Sequence, residues 1–260
     1  MTTKNQGLRR SMFFVVSGEG SSDLGTKDLD GSLKKGAMTF ILDRLSELSC
    51  GQVPDYELQS ESDVKQLRKL LNLRDTGPRG TDESKKESEK LWLNSYALAV
   101  YAKRKEERAG LVYFRDTDGT RAAPHDRWKR MVDAMYSGFK HADYKWGVAM
   151  VPRPKSEAWF LAYYQKNDGT HNAYDKCSRF EDMSGNDGSQ NSCKSLLMRW
   201  CSCSGNVYQD VITEEEIKCI DWNHIDMPSL TIFRKRFENV ITGLNGRSYP
   251  HPDCQYTRAS

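Results

Sequence analysis

The 260-residue sequence predicts an α/β fold: a mainly parallel sheet flanked by helices on both faces. Three observations carry this expectation. Short β-branched and aromatic runs of buried-strand type stand at Met12 to Val16, Leu111 to Phe114 and Trp146 to Val151; stretches with helical apolar spacing separate them; and the two kinds alternate along the chain. Strands that alternate with helices are joined by crossovers, which lay the helices over the sheet and leave the strands parallel.

Taken in order, the run Met12-Phe13-Phe14-Val15-Val16 ends in Ser17-Gly18-Glu19-Gly20 and reads as a buried strand entering a tight turn. A polar loop follows, then a helix over 38–48, a second strand over 56–59 and a second helix over 64–73. Residues 74–86 hold three Gly or Pro residues and nothing apolar, so they predict an exposed excursion rather than a domain boundary. A helix over 91–101 leads to the strand at 111–114, which ends at Arg115-Asp116-Thr117-Asp118-Gly119. A helix over 126–136, a strand over 146–151 and a helix over 154–164 complete the alternation. The Asn-, Asp-, Gly- and Ser-rich stretch 167–192 predicts a long loop, and 193–203, 214–222 and 230–241 predict helices, the last with Leu230, Phe233, Phe237 and Ile241 on one face. The expected organisation is a catalytic core over 1–166 and a loop with a helical C-terminal extension, packed on that core, over 167–260.

Composition narrows the function classes. A hydrophobic fraction of 37% beside 29% charged residues is that of a folded chain, not a disordered one. Net charge is only +3, from 39 basic and 36 acidic residues, so any nucleic-acid-binding surface must be local. Seven cysteines without C-x-x-C spacing argue against a disulfide framework and a structural zinc site, and Cys193, Cys201 and Cys203 with His224 match no common metal spacing. No apolar leader precedes Met12 and no stretch approaches the roughly 18 apolar residues of a membrane span, which predicts a cytoplasmic protein.

Open α/β sheets bind ligands at the carboxyl ends of their strands. Two acidic motifs are expected at such ends: Glu19, with Asp23 four residues on, and the pair Asp116 and Asp118. Carboxylates gathered at one point raise one another's pKa, and a hard divalent cation, Mg²⁺ or Mn²⁺, relieves the conflict. Singly, each motif has a plainer reading: Glu19 as a solvated turn acid, Asp116-x-Asp118-Gly119 as an ordinary turn, Asp23 as a cap, and Glu157 as an acid favoured by a helix dipole. Their order after separate buried strands favours the metal reading.

A glutamate in a Gly-Glu-Gly turn after strand one and a D-x-D after a later strand resemble the TOPRIM domain over about residues 11–166. TOPRIM occurs in topoisomerases, bacterial primases, RNase M5-like nucleases and overcoming-lysogenization-defect nucleases. The segments Val151 to Trp159 and Ser184 to Asp187, the latter before a helix with Lys194, are similar to small stand-alone TOPRIM proteins encoded beside ABC-type ATPases in bacterial antiphage defence loci. The resemblance implies a TOPRIM, Rossmann-like fold and a metal-dependent nuclease acting on DNA or RNA. One ion would be held by Glu19, Asp116 and Asp118, and a second near Asp23 and Glu157. It also implies an ABC-type ATPase as partner.

Lys155 is expected at the scissile phosphate, and Arg115, Arg121 and Arg153 at flanking phosphates. His125, a lone loop histidine, reads as a surface residue. Two other functions compete. Phe114 to Thr120 also fits the nucleophile motif of haloacid-dehalogenase-type phosphatases, with Asp116 phosphorylated, but that leaves Glu19 idle. The other is a non-catalytic TOPRIM-like subunit whose C-terminal helices recruit a partner.

Overall fold

The computed structural model describes residues 11–28, 32–73, 83–106, 108–117, 124–165, 169–203 and 212–246. Its centre is a four-stranded, all-parallel sheet of β1 (Phe13–Gly18), β4 (Asp55–Gln59), β5 (Gly110–Phe114) and β6 (Gly147–Met150), in the order β4-β1-β5-β6. β5 and β6 are buried at every position, as the unbroken apolar runs of a sheet covered on both faces require.

The connections explain both layers. From β1 the chain passes through α1 (Ser21–Leu24), a hairpin of β2 (Gly25–Lys27) and β3 (Leu33–Lys35), and α2 (Ala37–Cys50) out to β4 at one edge. It then returns through α3 (Glu61–Leu70) and α4 (Glu83–Lys105), passes β1 and pairs as β5 on its other side, and α5 (Pro124–His141) leads on to β6. Right-handed crossovers in opposite directions place their helices on opposite faces. Accordingly α3, α4 and α5 pack together against the sheet, and α2 packs with α9 (Pro228–Leu244), which lies on β5 and β6.

Helix α9 supplies the aromatic part of the core. Phe237 stands 5.4 Å from Phe14 of β1 and 5.8 Å from Phe233, which stacks at 5.5 Å on Trp159 of α6 (Glu157–Tyr164). Trp159 is fully buried and donates from its indole nitrogen to Ser229 Oγ at 2.9 Å, so this large ring carries no unmet donor. A single hydrophobic cluster thus runs from Met12 to Ile241. The remaining helices, α7 (Cys193–Cys203) against α6 and α8 (Glu214–Cys219) against α2, close the periphery. Among the described residues no helix is long and apolar enough to cross a membrane.

Several local expectations change. The polar loop after β1 contains α1 and the β2–β3 hairpin, whose three-residue strands are too short and too polar to show a period. Helix α4 starts at Glu83, inside the stretch read as an excursion, because the sequence Glu83-Ser84-Lys85-Lys86 holds good helix formers but no apolar residue that would show a helical period. Within 167–192 a 3₁₀ turn spans Cys177–Asp182, and Ser184 pairs with Ser192. Helix α6 begins at Glu157 rather than Pro154, and α8 ends at Cys219, where Ile220 becomes extended.

Phe237→Ala removes the ring that joins α9 to β1 and is expected to cost about 3–5 kcal/mol of unfolding free energy. A urea titration followed by tryptophan fluorescence measures this. A loss under about 1 kcal/mol would mean that α9 is not part of the cooperative core.

Candidate active site

The exits of β1 and β5 are neighbours, and between them the winding of the sheet reverses, which is where open α/β sheets form a ligand crevice. Gly18 makes the approach close: a Cβ there would fall 2.5 Å from the Phe114 carbonyl oxygen. Glu19 and Asp116 leave the sheet from these two exits, and the Asp116 N–H donates to Glu19 Oε1 at 3.1 Å. The other carboxylate oxygen of Glu19 lies 3.0 Å from Arg115 Nη1, which is also 2.9 Å from Oε1 of Glu61, the first residue of α3 at the end of β4.

Asp116 is tied in turn to the entrance of α6. Its Oδ1 accepts the Ser156 N–H at 2.9 Å, a donor that the helix ladder leaves over because α6 begins one residue later. The Ser156 hydroxyl donates to Asp23 Oδ1 at 3.2 Å. Asp23 folds back over Gly20, whose φ of +82° and lack of a side chain leave room for the carboxylate. A chain of contacts therefore runs Glu61, Arg115, Glu19, Asp116, Ser156, Asp23.

The electrostatics are those of crowded acids. Burial pushes the Asp23 carboxyl up to about 6, with the Glu157 and Glu19 charges adding to the rise and the Ser156 hydroxyl and Lys155 opposing it. Glu157 is also raised, chiefly by burial and further by Asp187, while its own N–H, Lys155 and Lys194 pull the other way. Its Oε2 is buried and, among the described residues, accepts no hydrogen bond. Burial, with the charges of Glu157 and Asp116, holds the Cys193 thiol at about 12, which puts the start of α7 within the field of these acids. Lys155 Nζ lies 3.0 Å from Asp187 Oδ1. A cavity of about 610 Å³ opens beside Glu19, lined also by Lys27, Leu58, Ser60, Glu61 and Asp63.

The structure thus brings Glu19, Asp23 and Asp116 into one contact chain, with Glu157 and Lys155 in their electrostatic range. Asp118 and Arg121 lie outside the described residues. Glu61, Ser156 and Asp187 are additions. Glu61 follows a strand end just as Glu19 does, inside the Ser60-x-x-Asp63 capping box, so the same strand-exit reasoning applied to Tyr56-Glu57-Leu58-Gln59 finds it. Among the described residues, no three His, Cys, Asp or Glu side chains already surround one point as a closed ligand set. The donor chemistry nonetheless suits a hard divalent cation: all-oxygen carboxylates, a raised Asp23 and an unsatisfied buried oxygen on Glu157.

Arg153 is a correction. The phosphate contact expected of it does not match its surroundings, because the residue is 7% exposed and its guanidinium pairs at 2.8 Å with Glu181, itself 0% exposed. Nη1 of Arg153 also lies 2.5 Å from His125 Nδ1. Glu181 accepts the Ser229 N–H at 2.7 Å, so it caps the start of α9 while it neutralises Arg153. Arg153→Met strands that buried carboxylate and is expected to lower stability by about 3–5 kcal/mol, whereas Arg153→Met with Glu181→Leu recovers part of the loss. Thermal and urea unfolding of the two variants measure this, and an unchanged midpoint for Arg153→Met would remove the structural role.

Compared with models of known protein families, with curated proteins and with solved structures, the chain matches none, so the functional reading rests on its own residues.

Proposed function

We propose that the chain is a TOPRIM-like nuclease that hydrolyses phosphodiester bonds of DNA or RNA with Mg²⁺ or Mn²⁺, as the effector of an antiphage system held in check by an ABC-type ATPase. One observation carries the reading: Glu19 and Asp116 leave adjacent parallel strands where the winding reverses and share a contact chain with Asp23, with Glu157 and Lys155 in range. The Gly-Glu-Gly turn after β1 and the D-x-D after β5 add motif support in the same strand context.

Glu19, Asp116 and Asp118 would hold one cation, and Asp23 with Glu157 a second. Bound there, the cations neutralise the acids and the phosphate and supply water activation. The protein's own contribution is orientation and charge. The N–H groups of Asp116 and Ser156 fix the carboxylates of Glu19 and Asp116, in the way that surrounding hydrogen bonds fix metal ligands generally. Lys155 meets the negative charge that grows on the phosphoryl oxygens, displacing its ion pair with Asp187, and Arg115 serves a neighbouring phosphate.

Target choice requires help. With a net charge of +3 and no base-reading motif, the chain has little means of selecting a nucleic acid alone. The surfaces of 169–203 and α8 are the ones we assign to a cytoplasmic ATPase partner.

Incubation of the purified protein with mixed DNA and RNA is expected to give cleavage that requires Mg²⁺ or Mn²⁺, either alone or with the ATPase encoded beside it. Glu19→Ala and Asp118→Ala are expected to reduce it by orders of magnitude with little change in melting temperature. Absence of metal-dependent cleavage in both settings favours a non-catalytic, partner-binding subunit instead. Co-expression with the ATPase and size-exclusion chromatography test the partner: migration as a monomer, with full activity alone, removes the regulatory reading.

A further inference from the structure

We infer that Arg115 is an internal counter-ion that competes with the divalent cation for Glu19, and that Glu61 is the acceptor that takes Arg115 when the cation binds. The inference rests on the reading of Glu19 as a cation ligand, and concerns how that ligand is held before the ion arrives.

Both oxygens of the Glu19 carboxylate are engaged: Oε1 accepts the Asp116 N–H at 3.1 Å, and Oε2 faces Arg115 Nη1 at 3.0 Å. A cation entering here must share or displace one of these contacts. The Asp116 N–H is part of the backbone where β5 ends, so this donor stays in place. The guanidinium can move, because it already reaches a second carboxylate, that of Glu61, at 2.9 Å. Arg115 has an 18% exposed side chain and stands between the two acids, while Glu61 is 54% exposed at the first position of α3 and lines the cavity beside Glu19. Both carboxylates are within reach of the same nitrogen, so the exchange needs only a small shift of a side chain that is planar, permanently charged and rich in donors.

The arrangement gives each residue a distinct sign. Without Arg115, Glu19 is a freer and more negative ligand. Without Glu61, Arg115 loses the alternative carboxylate within its reach, stays with Glu19 and resists the cation more. A simple through-space effect of the two charges would have the same signs, but it would leave the two substitutions additive. An exchange mechanism makes the effect of Glu61 depend on Arg115 being present.

Mn²⁺ binding to the full chain, measured by isothermal titration calorimetry without nucleic acid, tests this. Arg115→Gln is expected to tighten Mn²⁺ binding by roughly tenfold and Glu61→Gln to weaken it by about fivefold, while Glu61→Gln made in the Arg115→Gln background changes it by less than about twofold. Additive effects would reduce the pair to ordinary surface charge and overturn the exchange, as would single variants that bind like the parent. If the parent protein binds no Mn²⁺, or binds it unchanged after Glu19→Gln, the cation reading of Glu19 fails and the exchange fails with it, an outcome distinct from the first two. Each variant is checked by thermal unfolding. If Arg115→Gln does not fold, Arg115→Met, which also removes the charge, replaces it in the cycle, and the Glu61→Gln effect is expected to shrink there too.

Discussion

The side-by-side pairing of β1 and β5 is the constraint on which the rest of the molecule depends. These strands are the two interior members of the sheet, and the chain reaches β5 only after going out to β4 and coming back past β1. That reversal decides which helices cover which face, and it leaves two adjacent strand ends with no connection over the gap between them. Gly18 allows those ends to approach as closely as they do, since any larger residue would meet the Phe114 carbonyl. The acids that follow on each strand are therefore neighbours by topology, though 97 residues separate Glu19 from Asp116 in the chain.

Holding several carboxylates together has a cost, and the fold meets it locally. Backbone N–H groups, the Ser156 hydroxyl and the Arg115 guanidinium each oppose part of the repulsion, yet Asp23 and Glu157 remain raised above the ordinary carboxylate range because burial outweighs this help. The cluster sits on a sheet with a large apolar core beneath it, so the local conflict can be carried without loss of the fold. Sites that work by binding charge commonly keep such conflicts where purely structural positions would remove them.

Most of the architecture was legible in the sequence because it is written in apolar periods. Strands β1, β5 and β6 are short, largely apolar runs, β4 alternates Tyr56 and Leu58 with polar residues, and the major helices show their buried stripes. What was not legible lacks a period: the β2–β3 hairpin has strands of three polar-rich residues, and the first turn of α4 has no apolar residue in its sequence. For the candidate site, the strand-exit rule picked out Glu19, Asp23 and Asp116, which the structure brings into one contact chain. The rule says nothing about side-chain partners, so it could not tell Arg115, at the surface of the cleft, from Arg153, whose charge is consumed by Glu181 in the interior. The two arginines differ only in what the tertiary structure sets against them.

The contact of Phe237 with Phe14 joins the last described helix to the first strand. During synthesis, α2 is available early on that face, but the part that receives α9 stays open until that helix has left the ribosome, so Phe14 of β1 waits through more than two hundred residues of translation for Phe237. The early α/β units can pair their strands in that interval, but they cannot dry both faces. The contact between Phe14 and Phe237 is consequently one that forms late in synthesis, and until then the Phe14 side of β1 lacks its aromatic partner.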